Sequence, residues 1–285
     1  MLRRSIGFAI SAYRKSPLHH PAIGSPLAKL LSWVQPDSHR KPFVHDLGDF
    51  KMMIDLEQHI DSKIYYTGYW EAEVVRTIRR LVRPGDTAVD IGANIGYLTL
   101  VLAHQTGAKG RVLSFEASDW SYRRLVENIG LNHFDWVNPE QFAVGDTAVS
   151  AIELRLPCGY RLDGRITATN QTVEVVTLDE YIAARHIDRV DFIKSDTDGM
   201  EANVIRGAQR TIARFRPTMI FELNPGDILA QSQTVDGLLN IFDELGYRFH
   251  RLETLAPFDN IREAAASIPE KDSVNVVALH RDRAA

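Results

Sequence analysis

Residues 86–99, Asp-Thr-Ala-Val-Asp-Ile-Gly-Ala-Asn-Ile-Gly-Tyr-Leu-Thr, set a carboxylate (Asp90), two glycines (Gly92, Gly96) and an amide (Asn94) in a tight loop. An apolar strand precedes the loop and an apolar helix follows it. In an α/β sheet this is the carboxyl end of the first strand, where a nucleotide pocket forms. The residue types choose the nucleotide. A dinucleotide site needs G-x-G-x-x-G, so that backbone amides can approach a pyrophosphate at the helix start. Here the second glycine is Asn94 and the third is Tyr97. A tyrosine obstructs close helix–strand packing, and Asn94 narrows the approach for phosphate. S-adenosylmethionine has no phosphate, and its amino-acid end needs the polar partners this loop supplies. The loop therefore favours that methyl donor over NAD.

Asp90 ends an otherwise apolar strand, where an unpaired carboxylate is costly. It reads as orienting the loop or meeting the donor's ammonium, with a cap on loop amides as the plain alternative. Glu116 closes a second apolar strand, Arg111-Val-Leu-Ser-Phe-Glu, twenty residues after Gly96. An acid at that spacing can accept hydrogen bonds from both ribose hydroxyls. Ala143 and Asp146 end the expected third strand, beside the adenine; Asp146 reads equally as an adenine-amine partner or a turn residue.

A second cluster, Ile193-Lys-Ser-Asp-Thr-Asp-Gly-Met-Glu201, leaves the fourth strand on the sulfonium side of the donor. Methyl transfer to a hydroxyl needs an in-line nucleophile and a base. Asp196 or Asp198 can take the proton; helix capping is the competing reading for Asp198 and Glu201. Glu222 and Asn224 end the fifth strand. With Asp196 they are oxygen ligands suited to magnesium, yet substrate positioning is the simpler reading and no metal is assigned. Asn224-Pro225 lacks the second proline and aromatic of the amine-methylating N/D-P-P-aromatic motif. Tyr65, Tyr66, Tyr69 and Trp70 read first as core and second as a cover over donor or acceptor. The ten histidines show no metal-binding spacing.

These residues need a scaffold of alternating strands and helices. Strands are expected over 87–91, 111–115, 141–144, 190–194, 218–222, 248–252 and 274–279, and helices over 98–103, 120–128, 201–214 and 235–245. That rhythm is βαβ. Segments 151–156 and 172–176 read as an inserted hairpin, and Thr177-Leu-Asp-Glu180 as a capping box. Upstream, residues 71–81 form an amphipathic helix stopped by Arg83-Pro-Gly-Asp86, residues 43–56 suggest a small hairpin, and 27–34 a short helix. The organisation is an amino-terminal extension over 1–60 and one catalytic domain over 61–285.

The chain has 285 residues, 45% hydrophobic and 25% charged, with a formal charge of −4. It carries no long basic run, which argues against a nucleic-acid partner. Cys158 is the only cysteine, so no internal disulfide or cysteine metal site exists, and a reducing, cytoplasmic location is expected. Met1–Tyr13 is too short to span a bilayer and lacks a signal-peptide pattern. Weak contact with a membrane surface is one reading of it, a frayed or packed arm the other.

The ordered set Gly68-Tyr-Trp-Glu71, Asp90-Ile-Gly-Ala-Asn-Ile-Gly-Tyr97, Ser114-Phe-Glu116, Glu127-Asn-Ile-Gly-Leu-Asn132, Val176-Thr-Leu-Asp179, Phe192-Ile-Lys-Ser-Asp-Thr-Asp-Gly199 and Arg206-Gly-Ala208 resembles FkbM-type S-adenosylmethionine-dependent methyltransferases. The resemblance covers roughly residues 60–280. It implies a class I methyltransferase (Rossmann-like) fold, with a seven-stranded sheet, helices on both faces and the last strand antiparallel. It also implies transfer to a hydroxyl of a carbohydrate or secondary metabolite. The chain departs from the family at Thr197-Asp198, more usually Val-Glu; Asp198 is one methylene shorter, which alters acceptor geometry. An O-methyltransferase acting on a carbohydrate or glycosylated small-molecule acceptor is the leading expectation. N-methylation, an NAD-dependent oxidoreductase and a catalytically silent binding domain are the alternatives, and the oligomeric state stays open.

Overall fold

A computed structural model of the chain describes residues 41–161, 164–269 and 272–282. The helix expected over 27–34 and the stretch 1–13 lie outside them. Strands β1 (Phe43–Asp46) and β2 (Lys51–Ile54) pair antiparallel as the expected small hairpin. Helix α1 (His59–Thr67) ends at Gly68 in the left-handed region, and α2 (Ala72–Leu81) follows a short aromatic link.

The catalytic scaffold then runs β3 (Thr87–Ile91), α3 (Tyr97–Thr106), β4 (Arg111–Phe115), α4 (Asp119–Gly130), β5 (Val137–Glu140), β6 (Ala143–Val144), β7 (Val149–Tyr160) and β8 (Ile166–Val176). It continues through α5 (Leu178–Ala184), β9 (Phe192–Ser195), α6 (Glu201–Arg206), α7 (Gln209–Phe215), β10 (Thr218–Leu223), α8 (Pro225–Ala230), α9 (Val235–Glu244), β11 (Tyr247–Arg251), α10 (Ile261–Ala266) and β12 (Val274–His280). Seven strands form one sheet in the order β11-β12-β10-β9-β3-β4-β5. β12, the last in sequence, is antiparallel to both neighbours, while β10, β9, β3, β4 and β5 run parallel. The fold is the α/β architecture expected. The order of strand succession reverses across the β3–β9 boundary while the two strands stay parallel, and an α/β sheet forms its crevice at such a switch point, at the carboxyl ends of the strands.

Because side chains alternate along a strand, the sheet has two faces. Ala88, Val112, Phe192, Ile220 and Val277 pack beneath α1 to α4 and the β1–β2 hairpin. Val89, Leu113, Ile193, Phe221 and Ala278 pack beneath α5 to α10. The first face becomes polar toward the carboxyl ends. In register across three strands, Ser114, Asp90 and Lys194 replace the apolar residues, and all three are buried.

Three expectations are corrected. The third sheet strand is Val137–Glu140 instead of 141–144. Pro139 argues against a strand in the sequence, but β5 is the sheet edge, where a missing ladder donor is tolerated. Ala143–Val144 joins β8 in a small three-stranded sheet with the inserted hairpin, whose strands extend beyond the expected segments. The single helix expected over 201–214 is two, broken at Gly207-Ala208. A Cβ at Gly207 would lie 1.9 Å from the Gly145 carbonyl oxygen, so that close approach bends the chain. Thr177 caps its helix as expected, its hydroxyl accepting the Glu180 N–H at 3.2 Å, which is one of the two bonds of a capping box. Among the described residues no helix is long and apolar enough to cross a membrane.

Candidate active site

The β3–α3 loop is built from left-handed residues. Gly92 (φ 76°), Asn94 (φ 51°) and Gly96 (φ 90°) all sit at positive φ. Asparagine tolerates that region better than most residues, which is why Asn94 can stand where a dinucleotide loop has glycine. Its Oδ1 accepts the Ile95 N–H at 2.8 Å, and its own N–H donates to Glu116 Oε2 at 2.8 Å. The amides a pyrophosphate would need are already paired. Glu116 Oε1 also accepts the Ser118 N–H, at 2.7 Å. A carboxylate has about four acceptor sites, so capacity remains for two ribose hydroxyls. Burial pushes the Glu116 carboxyl up to about 7, against the lowering effect of those two amides.

Gly92 touches the second cluster directly. A Cβ there would lie 1.8 Å from the Asp196 carbonyl oxygen. The Asp196 N–H donates to the Ile91 carbonyl at 3.1 Å, so the β9 loop is laced to the end of β3. Beneath this seam lies a charged core. Lys194 is buried, and its Nζ pairs with Asp196 Oδ2 at 3.2 Å. Burial alone would pull its ammonium down, but the carboxylates of Asp196, Asp90 and Glu71 hold it above the usual lysine value. Asp90 is 0% exposed; its Oδ2 accepts the Thr99 hydroxyl at 2.6 Å, and its Oδ1 has no hydrogen-bond partner.

Asp198 follows in a left-handed conformation (φ 50°), and its carboxyl is raised by burial, then by the charges of Asp196 and Asp227. Glu201 holds the intervening turn: its Oε1 accepts the Thr197 N–H at 2.8 Å and the Thr197 hydroxyl at 2.9 Å. Glu222 is raised to about 7 by burial and by Asp196, and accepts the Ser273 hydroxyl. Asn224 caps α8 through the Asp227 N–H at 3.2 Å, so its oxygen is committed. Among the described residues no three or more His, Cys, Asp or Glu side chains are arranged to hold a metal ion.

The inserted hairpin reaches this site. Its far end is fixed at one side by the Ser118 hydroxyl donating to the Pro157 carbonyl at 2.6 Å and the Asp119 N–H donating to Gln171 Oε1 at 2.8 Å. At the other side the Tyr160 N–H donates to Gln58 Oε1 at 2.9 Å. Tyr160 is thus held beside the Glu116 loop, and the charges of Asp198, Glu116 and Asp196 act on its buried hydroxyl, raising its pKa beyond what burial does alone.

The structure brings Asp90, Gly92, Asn94, Gly96, Glu116, Asp196 and Asp198 together at the carboxyl ends of the adjacent strands β4, β3 and β9. Ala143 and Asp146 do not end the third sheet strand: Ala143 pairs with Val175 in the small sheet, and Asp146 is an exposed turn residue. Tyr65 and Tyr66 are core; Trp70 is half-buried, its Nε1 donating to Glu71 at 3.2 Å. Sequence reasoning missed the roles of Lys194, Glu71 and Tyr160, whereas Glu201, read as a capping acid, does hold the turn before its helix through Thr197. One signal was readable: Lys194 in Phe-Ile-Lys-Ser and Asp90 in Val-Asp-Ile are charges at matching positions of two buried strands.

The residues fit a cationic, phosphate-free nucleoside ligand. Paired loop amides and surrounding carboxylates disfavour a pyrophosphate, whereas the orphaned Asp90 oxygen needs a donor.

Residues 90–249 match the family described as the methyltransferase FkbM domain. No curated protein matches the chain. Among solved structures, an S-adenosylmethionine-dependent O-methyltransferase from Thermotoga maritima aligns at 14% identity and TM-score 0.42, over 76% of this chain and 68% of that one. A methyltransferase FkbM from Methylobacillus flagellatus aligns at 16% identity and TM-score 0.42, over 90% of this chain and 58% of that one. Fibrillarin from Aeropyrum pernix, in complex with S-adenosyl-L-methionine, aligns at 13% identity and TM-score 0.40, over 70% and 68%.

Proposed function

The chain belongs to the FkbM methyltransferase family, and from that premise we propose that it is an O-methyltransferase acting on a hydroxyl of a carbohydrate or glycosylated metabolite. Its methyl donor is S-adenosylmethionine, which supplies an electrophilic methyl group on a sulfonium. The observation carrying the hydroxyl reading is the Asp198 carboxyl. Burial and like charges raise it above the usual carboxylate range, which makes it a stronger proton acceptor than an ordinary aspartate.

Each residue has a stated task in this reading. Glu116 accepts the ribose hydroxyls at the end of β4. Gly92 lets the donor loop lie against the β9 loop, and Asp90 faces the amino-acid end. Asp196, held by Lys194, would orient the acceptor hydroxyl, and Asp198 would accept its proton as the oxygen takes the methyl group and the sulfur–methyl bond breaks to leave a neutral thioether. Tyr160 supplies an aromatic face beside these carboxylates, a pairing that suits the apolar face and hydroxyl edge of a sugar.

Incubation of the protein with methyl-labelled donor and a cell extract tests the assignment. Label should appear as base-stable methyl ethers in monosaccharides released by acid. Label in amines or nucleic acid, or no transfer at all, refutes it.

A further inference from the structure

We infer that Glu71, together with Asp90, binds the ammonium group at the amino-acid end of the methyl donor. The inference rests on the reading that the donor is S-adenosylmethionine. It assigns a donor contact to the segment before the first sheet strand.

Glu71 precedes α2 in a left-handed conformation (φ 46°), which a glutamate adopts only at a conformational cost. That backbone directs its carboxylate inward. Trp70 Nε1 donates to Oε1 at 3.2 Å, and the Trp70 ring is itself fixed by Lys63, 4.4 Å away. The Trp70 backbone also hydrogen-bonds the Tyr97 hydroxyl, one residue past Gly96. The segment is therefore tied to the donor loop itself.

The second Glu71 oxygen, Oε2, is buried without a hydrogen-bond partner, as is Asp90 Oδ1. Both carboxylates act on Lys194, and Asp196 is the third. The charges of three carboxylates thus act on one ammonium, which donates a hydrogen bond to Asp196. A buried carboxylate oxygen left without a donor carries a full desolvation cost. Burial is the largest influence on both groups and raises both above the usual carboxylate range. A second cation between them would relieve that cost and hold both ionised. The described residues offer no metal-binding set of three, so an organic ammonium with three N–H donors is the cation that suits two carboxylate oxygens.

Calorimetry on the full-length chain tests this with three ligands. S-adenosylhomocysteine keeps the amino-acid end, its deaminated analogue lacks only the ammonium, and methylthioadenosine lacks the whole end. Glu71→Gln should weaken S-adenosylhomocysteine by roughly ten- to a hundredfold, the scale of a hydrogen bond to a charged group. Methylthioadenosine affinity should be unchanged. Unaltered S-adenosylhomocysteine affinity, or an equal loss of both ligands, overturns the inference. The wild-type protein should likewise bind the deaminated analogue roughly ten- to a hundredfold more weakly than S-adenosylhomocysteine. Equal affinity for those two overturns the inference whether or not the variant folds. A wild-type protein that binds none of the three removes the donor reading beneath it.

Discussion

Gly92→Ala separates the contact between the two site loops from ordinary glycine strain. At φ 76° an alanine pays a left-handed penalty of about 1–2 kcal/mol. Its Cβ would also fall 1.8 Å from the Asp196 carbonyl oxygen. An ordinary contact needs more than 3 Å, so the β9 loop must retreat by roughly 1.5 Å, a displacement on the scale of overpacking worth about 1–3 kcal/mol. That movement stretches the Asp196 N–H to Ile91 bond, now 3.1 Å, at about 1 kcal/mol. The expected destabilisation is roughly 3–6 kcal/mol, or about 6–12 °C in melting temperature for a chain this size. S-adenosylhomocysteine affinity should fall about tenfold or more, because the loop that flanks the donor moves. Gly85→Ala is the control: φ is 90°, but no atom lies within 4 Å of the added Cβ. It should cost only about 1–2 kcal/mol and leave ligand affinity intact. Scanning calorimetry and titration of both variants decide the matter. A Gly92→Ala protein melting with the Gly85→Ala protein and binding normally refutes the loop contact.

Glu116→Ala should weaken S-adenosylhomocysteine by about 1–3 kcal/mol; unchanged titration heats and affinity contradict the ribose role. The same carboxyl makes stability pH-dependent. A carboxyl raised by folding contributes stability below its unfolded value, near 4.5, and loses it as pH climbs through the folded value of about 7. Between pH 5 and 8 the free protein should lose up to about 3 kcal/mol from this group. Glu116→Gln should flatten that slope, and parallel melting curves for both proteins would refute it. Lys194→Met leaves Asp90, Asp196 and Glu71 without their cation and should cost about 3–5 kcal/mol in urea denaturation; a loss under about 1 kcal/mol counts against the charged core. Asp198→Asn should lower label transfer by about 10²–10⁴ while donor affinity holds. An equal fall in both would make Asp198 a structural turn residue.

The candidate donor site was legible as a set of neighbouring residues because its signals are local. Gly92, Asn94 and Gly96 are read from one loop, and Glu116 from its distance to that loop. What escaped reading depends on register or on packing between distant segments. Lys194 gains its meaning from standing opposite Asp90 across two strands about a hundred residues apart, a pairing visible only once β3 and β9 align. Glu71 depends on a left-handed turn and a long-range fold-back that no periodicity reveals. Pro139 concealed β5 because edge position is a tertiary property. Gly207 broke a helix on account of Gly145, a partner sixty residues upstream.

The hairpin's attachments have a consequence for how such an enzyme diversifies. The Pro157 and Gly159 region is held through backbone groups, by Ser118 and Gln58, while its outer residues carry few obligations. In the proposed reading, exchanging the outward side chains of β7 and β8 would alter the surroundings of Tyr160 without breaking these backbone anchors. The hydrogen bonds among Asn94, Ile95, Glu116 and Ser118 involve none of those side chains, so they would persist through such changes.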